Sequence, residues 1–407
     1  MSPMHPFRSV SIYFFAGDFA EVLRRHSEGA PQAYGTHTEV AKLIGDLLDR
    51  SVDVTVHSFC TPERKVERPR AGLTIKSLGA VSYDQDDVLL RAVDEDVSAA
   101  IIPHFPNVRL LNAVAATGRP RAAFMATSFY RRGPRSWWRR NRTVSALNRG
   151  GFDFISNHCV PATEHLRDLG VDASKLIPWD VPHPYTPAAT SPKTSAPREK
   201  LNVFFAGSIS EEKGVGDVVR AIRHLKSARQ GSFTFAGKGE IAAMENLARS
   251  QGVGSRVSFL GGIPNPDVFR HFREADLLVV PSRAQFQEGF PLAMFEAIAS
   301  HTPIICSDHP IFRQVLEDGR NAILFRAGDP ADLARAVDRI AVDPELYLKL
   351  SNSAEQTWAK LQGPANWRRL ILEWVGGGPQ SPWIQQHMLN HLRGLDQVNR
   401  SQEPIRV

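Results

Sequence analysis

The sequence has few cysteines and no long hydrophobic run. Its three cysteines, Cys60, Cys159 and Cys306, are far apart and fit neither a metal-binding knuckle nor a disulfide framework. The longest apolar runs, such as Val10–Phe15 and Leu277–Pro281, have strand length, well short of the ~20 residues that span a bilayer. The N-terminus also lacks the basic and apolar segments of a signal peptide. These absences predict a cytoplasmic protein of a reducing compartment, without a membrane-spanning helix.

Acidic residues are missing from one long stretch of the chain. Between Val97 and Phe152 there is no aspartate or glutamate, whereas the same stretch carries ten arginines. The whole chain has 49 Lys+Arg against 43 Asp+Glu, a net charge of +6, which favours anionic partners. A convincing Asp-x-Asp metal motif is also lacking, because Asp84-Gln85-Asp86 lies in a polar loop. We therefore expect no bound metal.

The composition is that of a globular protein with more than one domain. With 407 residues, 42% hydrophobic and 23% charged, it excludes collagen, coiled coil and low-complexity disorder. Short apolar runs alternate with amphipathic segments in two blocks, which predicts the α/β class with two doubly wound, Rossmann-like domains facing across a cleft. We expect an N-terminal domain over residues 1–180, a Pro-rich linker over 181–200, and a C-terminal domain over 201–357. Residues 358–407 are expected to form a helical tail that packs back on the N-terminal domain.

Candidate strands are the short apolar runs of both blocks. In the first block they are Val10–Phe15, Val52–Phe59, Ala99–Pro103 and Ala122–Ala126. In the second block they are Asn202–Ala206, Ser232–Ala236, Val257–Leu260, Leu277–Pro281, Pro303–Cys306 and Ala322–Phe325.

One segment of the second block combines features of a phosphate and sugar site. A predicted strand ends at Pro281, a loop carries Glu288 and Gly289, and a helix is expected to begin at Pro291. The start of a helix attracts a diphosphate, and Gly289 lets the backbone approach a ligand. Carboxylates beside a phosphate site should instead accept hydrogen bonds from neutral hydroxyls, so we assign Glu296 to a ribose and Glu288 to a sugar. Solvated surface charges are the alternative, but Glu296 lies in an apolar helix, where a lone carboxylate is costly.

The same residues resemble a known family. Glu288 and Glu296, in the sequence Glu-Gly-Phe-Pro-Leu-Ala-Met-Phe-Glu-Ala, resemble the Glu-x7-Glu signature of retaining glycosyltransferases of family four, which have the GT-B fold. The resemblance extends over about residues 202–342 and more loosely over the N-terminal half. Further motifs that carry it are Phe205-Ala206-Gly207, Glu212-Lys213-Gly214, Phe259-Leu260-Gly261, Ala275-Asp276, Val280-Pro281-Ser282 and Thr302-Pro303-Ile304-Ile305.

The resemblance implies a role for each matching position. Lys213 would pair with the diphosphate, Glu296 would hold the ribose, and Glu288 would contact the donor sugar and take part in catalysis with Lys213. The implied donor is a UDP- or GDP-linked sugar, with no cofactor and no metal, and the implied stereochemistry is retention. The implied donor-binding set is completed by Gly207, Ser208, Arg283, Gly289, Phe290, Pro291 and Leu292.

The sequence departs from the family pattern at two places. The arginine that the family has shortly before the lysine is missing from Ser208-Ile209-Ser210, and Arg283 is a candidate to supply that charge. The family's histidine in the N-terminal domain is replaced at the expected position by Ala126-Thr127-Ser128. His104, at the end of another predicted strand, is a candidate catalytic residue, and a structural histidine is the alternative. Gly35, Thr36 and Ser128 are candidate acceptor contacts.

Arginine and tryptophan are interleaved between Tyr130 and Arg142. This composition suits an anionic membrane surface, an acidic glycan or a pyrophosphate-linked lipid, and a solvated basic loop is the alternative. Nothing else resembles a nucleic-acid module, so we expect no nucleic-acid partner. The candidate acceptor or membrane contacts are Arg131, Arg132, Trp137, Trp138, Arg139 and Arg140.

These observations predict a retaining, metal-independent hexosyl- or related glycosyltransferase. We expect it to act on a glycan or lipid-linked acceptor in the assembly of a cell-surface polysaccharide or glycolipid, in the cytoplasm or at the cytoplasmic face of the membrane. The alternatives are a nucleotide-sugar epimerase or hydrolase, and a non-catalytic or altered GT-B protein that binds a nucleotide sugar.

Overall fold

A computed structural model describes nine parts of the chain. These are residues 6–15, 17–32, 35–59, 61, 63–80, 85–130, 133–197, 200–227 and 231–392. Within them the chain forms two mainly parallel β-sheets, each covered by helices on both faces. None of the described helices combines the length and the apolar character that crossing a membrane requires.

The N-terminal sheet has nine strands within the described residues, in the order β15-β8-β7-β6-β5-β1-β2-β4-β3. All pairs are parallel except β3 with β4. The central strands β5 to β8 are buried at every position, as parallel strands between two helical layers should be. The strands are β1 Ser9–Phe14, β2 Asp53–Ser58, β3 Arg64–Arg70, β4 Leu73–Leu78, β5 Ala100–His104, β6 Ala122–Met125, β7 Phe154–His158, β8 Leu176–Asp180 and β15 Ala365–Asn366.

The C-terminal sheet has six parallel strands within the described residues, in the order β11-β10-β9-β12-β13-β14. The order reverses between β9 and β12, and such a switch point leaves a crevice at the carboxyl ends of the strands. The strands are β9 Asn202–Ala206, β10 Ser232–Ala236, β11 Val257–Gly261, β12 Leu277–Val280, β13 Ile304–Ser307 and β14 Ile323–Phe325.

The helices connect the strands and cover both sheets. In the N-terminal half they are α1 Phe19–Ser27, α2 Gly35–Asp49, α3 Asp86–Asp94, α4 Val108–Ala116, α5 Pro134–Arg149 and α6 Val160–Asp168. In the C-terminal half they are α7 Val215–Ala221, α8 Ile241–Ser250, α9 Asn265–Glu274, α10 Leu292–Ala299, α11 Pro330–Ala341, α12 Pro344–Asn352, α13 Ala354–Leu361, α14 Trp367–Gly377 and α15 Pro382–Gln386.

The chain returns to the N-terminal sheet after α13. Strand β15 pairs with β8, and the amide of Gly363 donates to the carboxylate of Asp180 at 3.2 Å. The indoles of Trp367 and Trp374 are then buried in the same hydrophobic core as strand β1. Residues after Gly363 therefore complete the core of the N-terminal half.

The predicted α/β architecture is confirmed, and all ten predicted strands are present with small differences at their ends. Strands β3, β4, β7, β8 and β15 are additional. Strand β3 was not foreseen because it is a charged, exposed edge strand that lacks the alternation of a half-buried strand.

Candidate active site

The candidate site lies at the switch point of the C-terminal sheet. Lys213 comes from the loop after β9, and Glu288 comes from the loop after β12. Glu296 lies in α10, the helix that follows this second loop. Two neighbouring strands therefore direct the predicted lysine and carboxylates to the crevice in which doubly wound sheets bind ligands.

Lys213 and Glu288 form a buried ion pair. The ammonium contacts Oε1 of the carboxylate, and Ser282 donates its hydroxyl to the same oxygen at 2.5 Å. The side chains are only 9% and 7% exposed, so water screens this attraction poorly. The ammonium also lies 4.8 Å from the ring centroid of Phe286. The site thus holds a desolvated cation. Its partner in this structure is Glu288, the carboxylate that is predicted to bind the donor sugar.

Gly214 allows the lysine to approach the second strand. Its φ of +81° is in the left-handed region, and a Cβ there would collide with the carbonyl oxygen of Pro281 at the end of β12. The hydroxyl of Ser210 accepts a hydrogen bond from the Lys213 amide at 3.1 Å. The Lys-Gly pair therefore joins the two loops through close backbone packing.

Glu296 is half-buried and lies between two other elements. The side-chain amide of Asn265, the first residue of α9, donates to its Oε1 at 2.6 Å. Burial raises the pKa of Glu296 to about 7, against the lowering effects of the Asn265 hydrogen bond and of nearby His183. A ligand that donates hydroxyl hydrogen bonds would stabilise the ionised form of this carboxyl.

The loop between Glu288 and α10 contacts the N-terminal half. A Cβ on Gly289 would lie 3.1 Å from the carbonyl oxygen of Ala126, which follows β6, so the two backbones are closely packed. The ring of Phe290 is buried against Phe295 and Phe312. Pro291 is the N-cap of α10, and Leu292 packs against cores of both halves.

Three further predicted donor contacts surround Lys213. Gly207 gives room for the lysine stem, since a Cβ there would lie 3.5 Å from its Cε, and Ser208 is exposed. The guanidinium of Arg283 donates to Asp217 at 2.8 and 2.7 Å and to Glu211 at 2.7 Å. Two carboxylates thus neutralise Arg283. It links the loop after β12 to Glu211 and Asp217 and adds no uncompensated positive charge to the site.

His104 is buried at the end of β5. Its ring stacks on Phe14 and Phe105, and Trp367 approaches it edge-on. Burial lowers its pKa to about 3, helped by the nearby His37, so the imidazole is neutral at pH 7. Its Nδ1 has no hydrogen-bond partner among the described residues. Among the described residues, the ring of His104 contacts Phe14, Phe105 and Trp367, and it makes no hydrogen bond with Lys213, Glu288 or Glu296.

The other N-terminal candidates are spread over two elements and a loop. Gly35 and Thr36 are in the first turn of α2, and the buried hydroxyl of Ser128 has no partner among the described residues. Trp137, Trp138 and Arg139 are exposed on α5, and Arg140 is half-buried there. Arg131 and Arg132 lie outside the described residues.

Several residues of the site were not predicted from the sequence. His309, which follows β13, accepts the amide of Ile311 on Nδ1 at 3.3 Å, so its Nε2 donates to the carbonyl of Phe286 at 3.1 Å. Tyr130 accepts a hydrogen bond from Gln314 at 2.9 Å and lies perpendicular to the ring of His309. The position of His309 after a predicted strand was an available signal, whereas Tyr130 and Gln314 meet only through the tertiary fold.

A second buried cluster lies where the chain passes between the halves. Asp180 accepts from His158 at 3.3 Å and from His183 at 3.1 Å, and these two histidines hold the pKa of the carboxyl well below its usual range although burial opposes this. The ring of His183 stacks on Phe295, the neighbour of Glu296 in α10. Among the described residues, no group of three or more His, Cys, Asp and Glu side chains is arranged to hold a metal.

Comparisons with known proteins agree with this geometry. Residues 188–357 match the family model described as glycosyl transferases group 1. An alpha-monoglucosyldiacylglycerol synthase of Acholeplasma laidlawii is 28% identical over 180 residues, 42% of this chain and 44% of that protein. A D-inositol 3-phosphate glycosyltransferase of Thermomonospora curvata is 27% identical over 191 residues, 44% of each chain. The match therefore spans less than half the length of these curated relatives.

The likeness to solved structures covers both halves of the chain. Sucrose-phosphate synthase from Thermosynechococcus elongatus has a TM-score of 0.66 at 17% identity, over 97% of this chain and 100% of that chain. The fold is therefore GT-B, with two Rossmann-like units. Its C-terminal unit matches the model of the glycosyl transferases group 1 family, and the resemblance drawn from the Glu288–Glu296 motif is confirmed.

Proposed function

We propose that this protein is a glycosyltransferase that moves a sugar from a nucleotide-sugar donor to a glycan or lipid-linked acceptor. The observation that carries the proposal is the desolvated Lys213–Glu288 pair, with Glu296 on the adjacent helix, at the switch point of the C-terminal sheet. A diphosphate needs a buried cation, and neutral sugar rings need carboxylate acceptors. This corner of the chain offers both.

We propose that donor binding exchanges the partner of Lys213. The phosphate oxygens would replace Glu288 at the ammonium, and the N-terminus of α10 would supply further N–H groups. The released Glu288 would accept hydrogen bonds from the donor sugar, while Glu296 would accept them from the ribose. Because negative charge grows on the departing diphosphate, Lys213 and the helix start would stabilise the transition state more than the ground state.

We propose retention of configuration and no metal. Departure of the nucleoside diphosphate through an oxocarbenium-like state, with the acceptor entering on the same face, needs no separate general base. His104 is proposed to contact the transferred sugar, because its neutral ring has an unsatisfied Nδ1. As its pKa is near 3, it would act through a hydrogen bond and not through charge.

We propose that the product belongs to a cell-surface polysaccharide or glycolipid, made at the cytoplasmic face. The relative from Acholeplasma laidlawii is named for the synthesis of a glucosyldiacylglycerol, which supports a lipid-linked acceptor.

The test is a panel of UDP- and GDP-sugars, scored first by thermal stabilisation of the full chain. A ligand that binds the folded state raises its melting temperature. We expect one donor to stabilise the wild type, and Glu296→Ala and Lys213→Met to abolish that shift. With this donor and a lipid extract as acceptor, both variants should release nucleoside diphosphate more slowly by about 100-fold or more.

The matched controls are Glu355→Ala and Lys226→Met, which change exposed residues outside the loops of the site. They should behave as the wild type. Unchanged donor binding and turnover in Glu296→Ala would contradict the proposal. Donor consumption that needs no acceptor would indicate a nucleotide-sugar hydrolase or epimerase instead.

A further inference from the structure

The outer face of helix α5 is cationic and aromatic. The helix contains five arginines and no acidic residue, and it packs on the domain through Thr143, Ala146 and Leu147. Its solvent-exposed side chains, which form the outer face, include Trp137, Trp138, Arg139 and Arg142. The apolar residues on this outer face are therefore not explained by the folding of the domain.

The two indoles are unusually exposed. Trp137 is 57% and Trp138 54% exposed, and they are the two aromatic side chains among the large exposed hydrophobics of the described residues. Trp179, Trp358, Trp367 and Trp374 are all buried. Tryptophan has an apolar body and a polar N–H, and it is enriched where hydrocarbon meets water.

The arginines of this face have no acidic partner. Among the described residues, no carboxylate pairs with Arg135, Arg139, Arg140 or Arg142, whereas Arg320 and Arg335 elsewhere on the surface pair at 2.8 Å with Glu317 and Asp332. Arg142 instead covers the ring of Trp138, with 4.4 Å between its guanidinium carbon and the ring centroid. The face therefore offers an uncompensated positive field with indoles inside it.

We propose that this outer face of α5 docks on an anionic phospholipid bilayer. The indoles would lie at the level of the headgroups and the guanidinium groups would meet lipid phosphates. An acidic glycan would satisfy the arginines, but it would leave the two adjacent tryptophans without the apolar phase that favours them. The exposure of both Trp137 and Trp138 therefore favours a membrane over an acidic glycan as the partner of this face.

Docking at this face determines where an acceptor meets the protein. Helix α5 begins four residues after Tyr130, which contacts Gln314 and His309 beside the Lys213–Glu288 pair. A bilayer on α5 would bring lipid headgroups to the mouth of the cleft. If the proposed transfer is correct, which this step assumes, the acceptor sugar is carried by a membrane lipid.

The experiment is flotation of the full chain with vesicles. We expect wild type to float with phosphatidylcholine–phosphatidylglycerol vesicles and to stay behind with phosphatidylcholine alone. Arg139→Gln/Arg142→Gln should weaken binding about 25-fold, since each arginine near an anionic surface contributes about fivefold. Trp137→Ser/Trp138→Ser should weaken it roughly tenfold or more and remove the blue shift of tryptophan fluorescence on binding.

The controls remove the same number of positive charges, or an exposed apolar side chain, elsewhere on the surface. Arg320→Gln/Arg335→Gln also takes away two positive charges, and Val342→Ser removes an exposed apolar side chain. Both should float as the wild type. Absence of wild-type flotation, or equal loss in the charge control, would overturn the docking proposal. If the tryptophan variant floats normally and only the arginine variant fails, the face binds polyanions in general and the membrane proposal is wrong.

Docking and transfer can fail separately. Glu296→Ala should float as the wild type because residue 296 lies away from α5. Flotation of a wild type that transfers no sugar would refute the proposed function alone, whereas transfer without flotation would refute the docking alone.

Discussion

Glu296 is a carboxyl group in an otherwise apolar helix, and its surroundings determine when it is charged. Its described hydrogen-bond partner is the amide of Asn265, and burial brings its pKa to about 7. The site thus holds a carboxyl group that titrates near neutral pH. Ribose hydroxyls donated to it would favour ionisation, so donor binding should release a proton below pH 7.

Glu296→Gln keeps the size of this side chain and removes its titration. Because the pKa is about 7 in the folded protein and 4.5 in its ordinary state, the folded protein holds the proton more tightly. The wild type should therefore lose stability relative to Glu296→Gln as pH rises from about 4.5 to about 7, by at most about 3 kcal/mol, with no further change above that. Urea unfolding of both proteins across this range measures the difference. Parallel stability profiles of the wild type and Glu296→Gln would contradict this prediction. The control Glu355→Gln, at an exposed position, should give a profile parallel to that of the wild type.

Lys213 and Glu288 depend on each other for their burial. Lys213→Met leaves the Glu288 carboxylate buried with Ser282 alone, and breaking a buried pair in this way costs about 3–5 kcal/mol. The double variant Lys213→Met/Glu288→Gln contains no charge at this place and should regain most of that stability, while sugar transfer stays absent. Denaturant midpoints of the four proteins of this cycle measure the coupling. Additive effects of the two substitutions would show that the charges are not coupled.

At the residue scale, the sequence identified the chemistry but not the partners. Glu288, Glu296 and Lys213 were found through a motif whose spacing is local. Asn265 was not, because it contacts Glu296 from another helix and no spacing along the chain reveals that contact. Ser282 and His309 follow predicted strands, but their spacing assigned neither of them a hydrogen-bond partner in the site. The pairing of Arg283 with Asp217 and Glu211 was unforeseen for the same reason.

At the element scale, the presence of a short apolar run between turn signals decided which strands could be predicted. The strands of the C-terminal sheet are short apolar runs between turn signals, and the predicted ends agree within a residue or so. Strands β7 and β8 carry the polar residues Asn157, His158 and Asp180 at their carboxyl ends. Those side chains are buried because they bond to each other and to neighbouring loops, which no hydrophobic pattern records.

The helix that carries Glu296 is held by residues from outside the C-terminal sheet. His183 stacks on Phe295 with 4.4 Å between ring centroids, and Asp180 fixes that imidazole by a hydrogen bond. Trp358 approaches the same Phe295 ring edge-on. The signature helix is thus supported by residues that precede and follow the C-terminal sheet in the chain.

At the scale of the whole molecule, stability of the N-terminal half depends on residues far along the chain. Trp374 packs on Phe7 and Phe154, at 5.0 and 6.1 Å between ring centroids, and donates to Asp153 at 2.8 Å. Its removal leaves a cavity and an unpartnered, partly buried carboxyl. The N-terminal sheet should therefore be the part that loses stability.

Trp374→Ala is expected to destabilise the N-terminal sheet by about 3–5 kcal/mol. Hydrogen exchange should show lower protection of amides in β1 and β7, with β9 to β12 unaffected. Trp358→Ala, in the core of the C-terminal half, serves as the matched substitution and should give the reverse pattern. If Trp374→Ala lowered the protection of residues after 357 only, the inference that these residues share one core with β1 and β7 would be wrong.

The return of the chain at Gly363 makes the N-terminal unit discontinuous in sequence. A chimera with a relative that uses a single crossover in the linker would join one protein's first eight strands to another protein's Trp367 and Trp374. Those foreign indoles would have to fill a core shaped for different ones. Recombination of the N-terminal and C-terminal halves should thus succeed with two crossovers, the second close to Gly363. The closing segment is then exchanged together with the half that it completes.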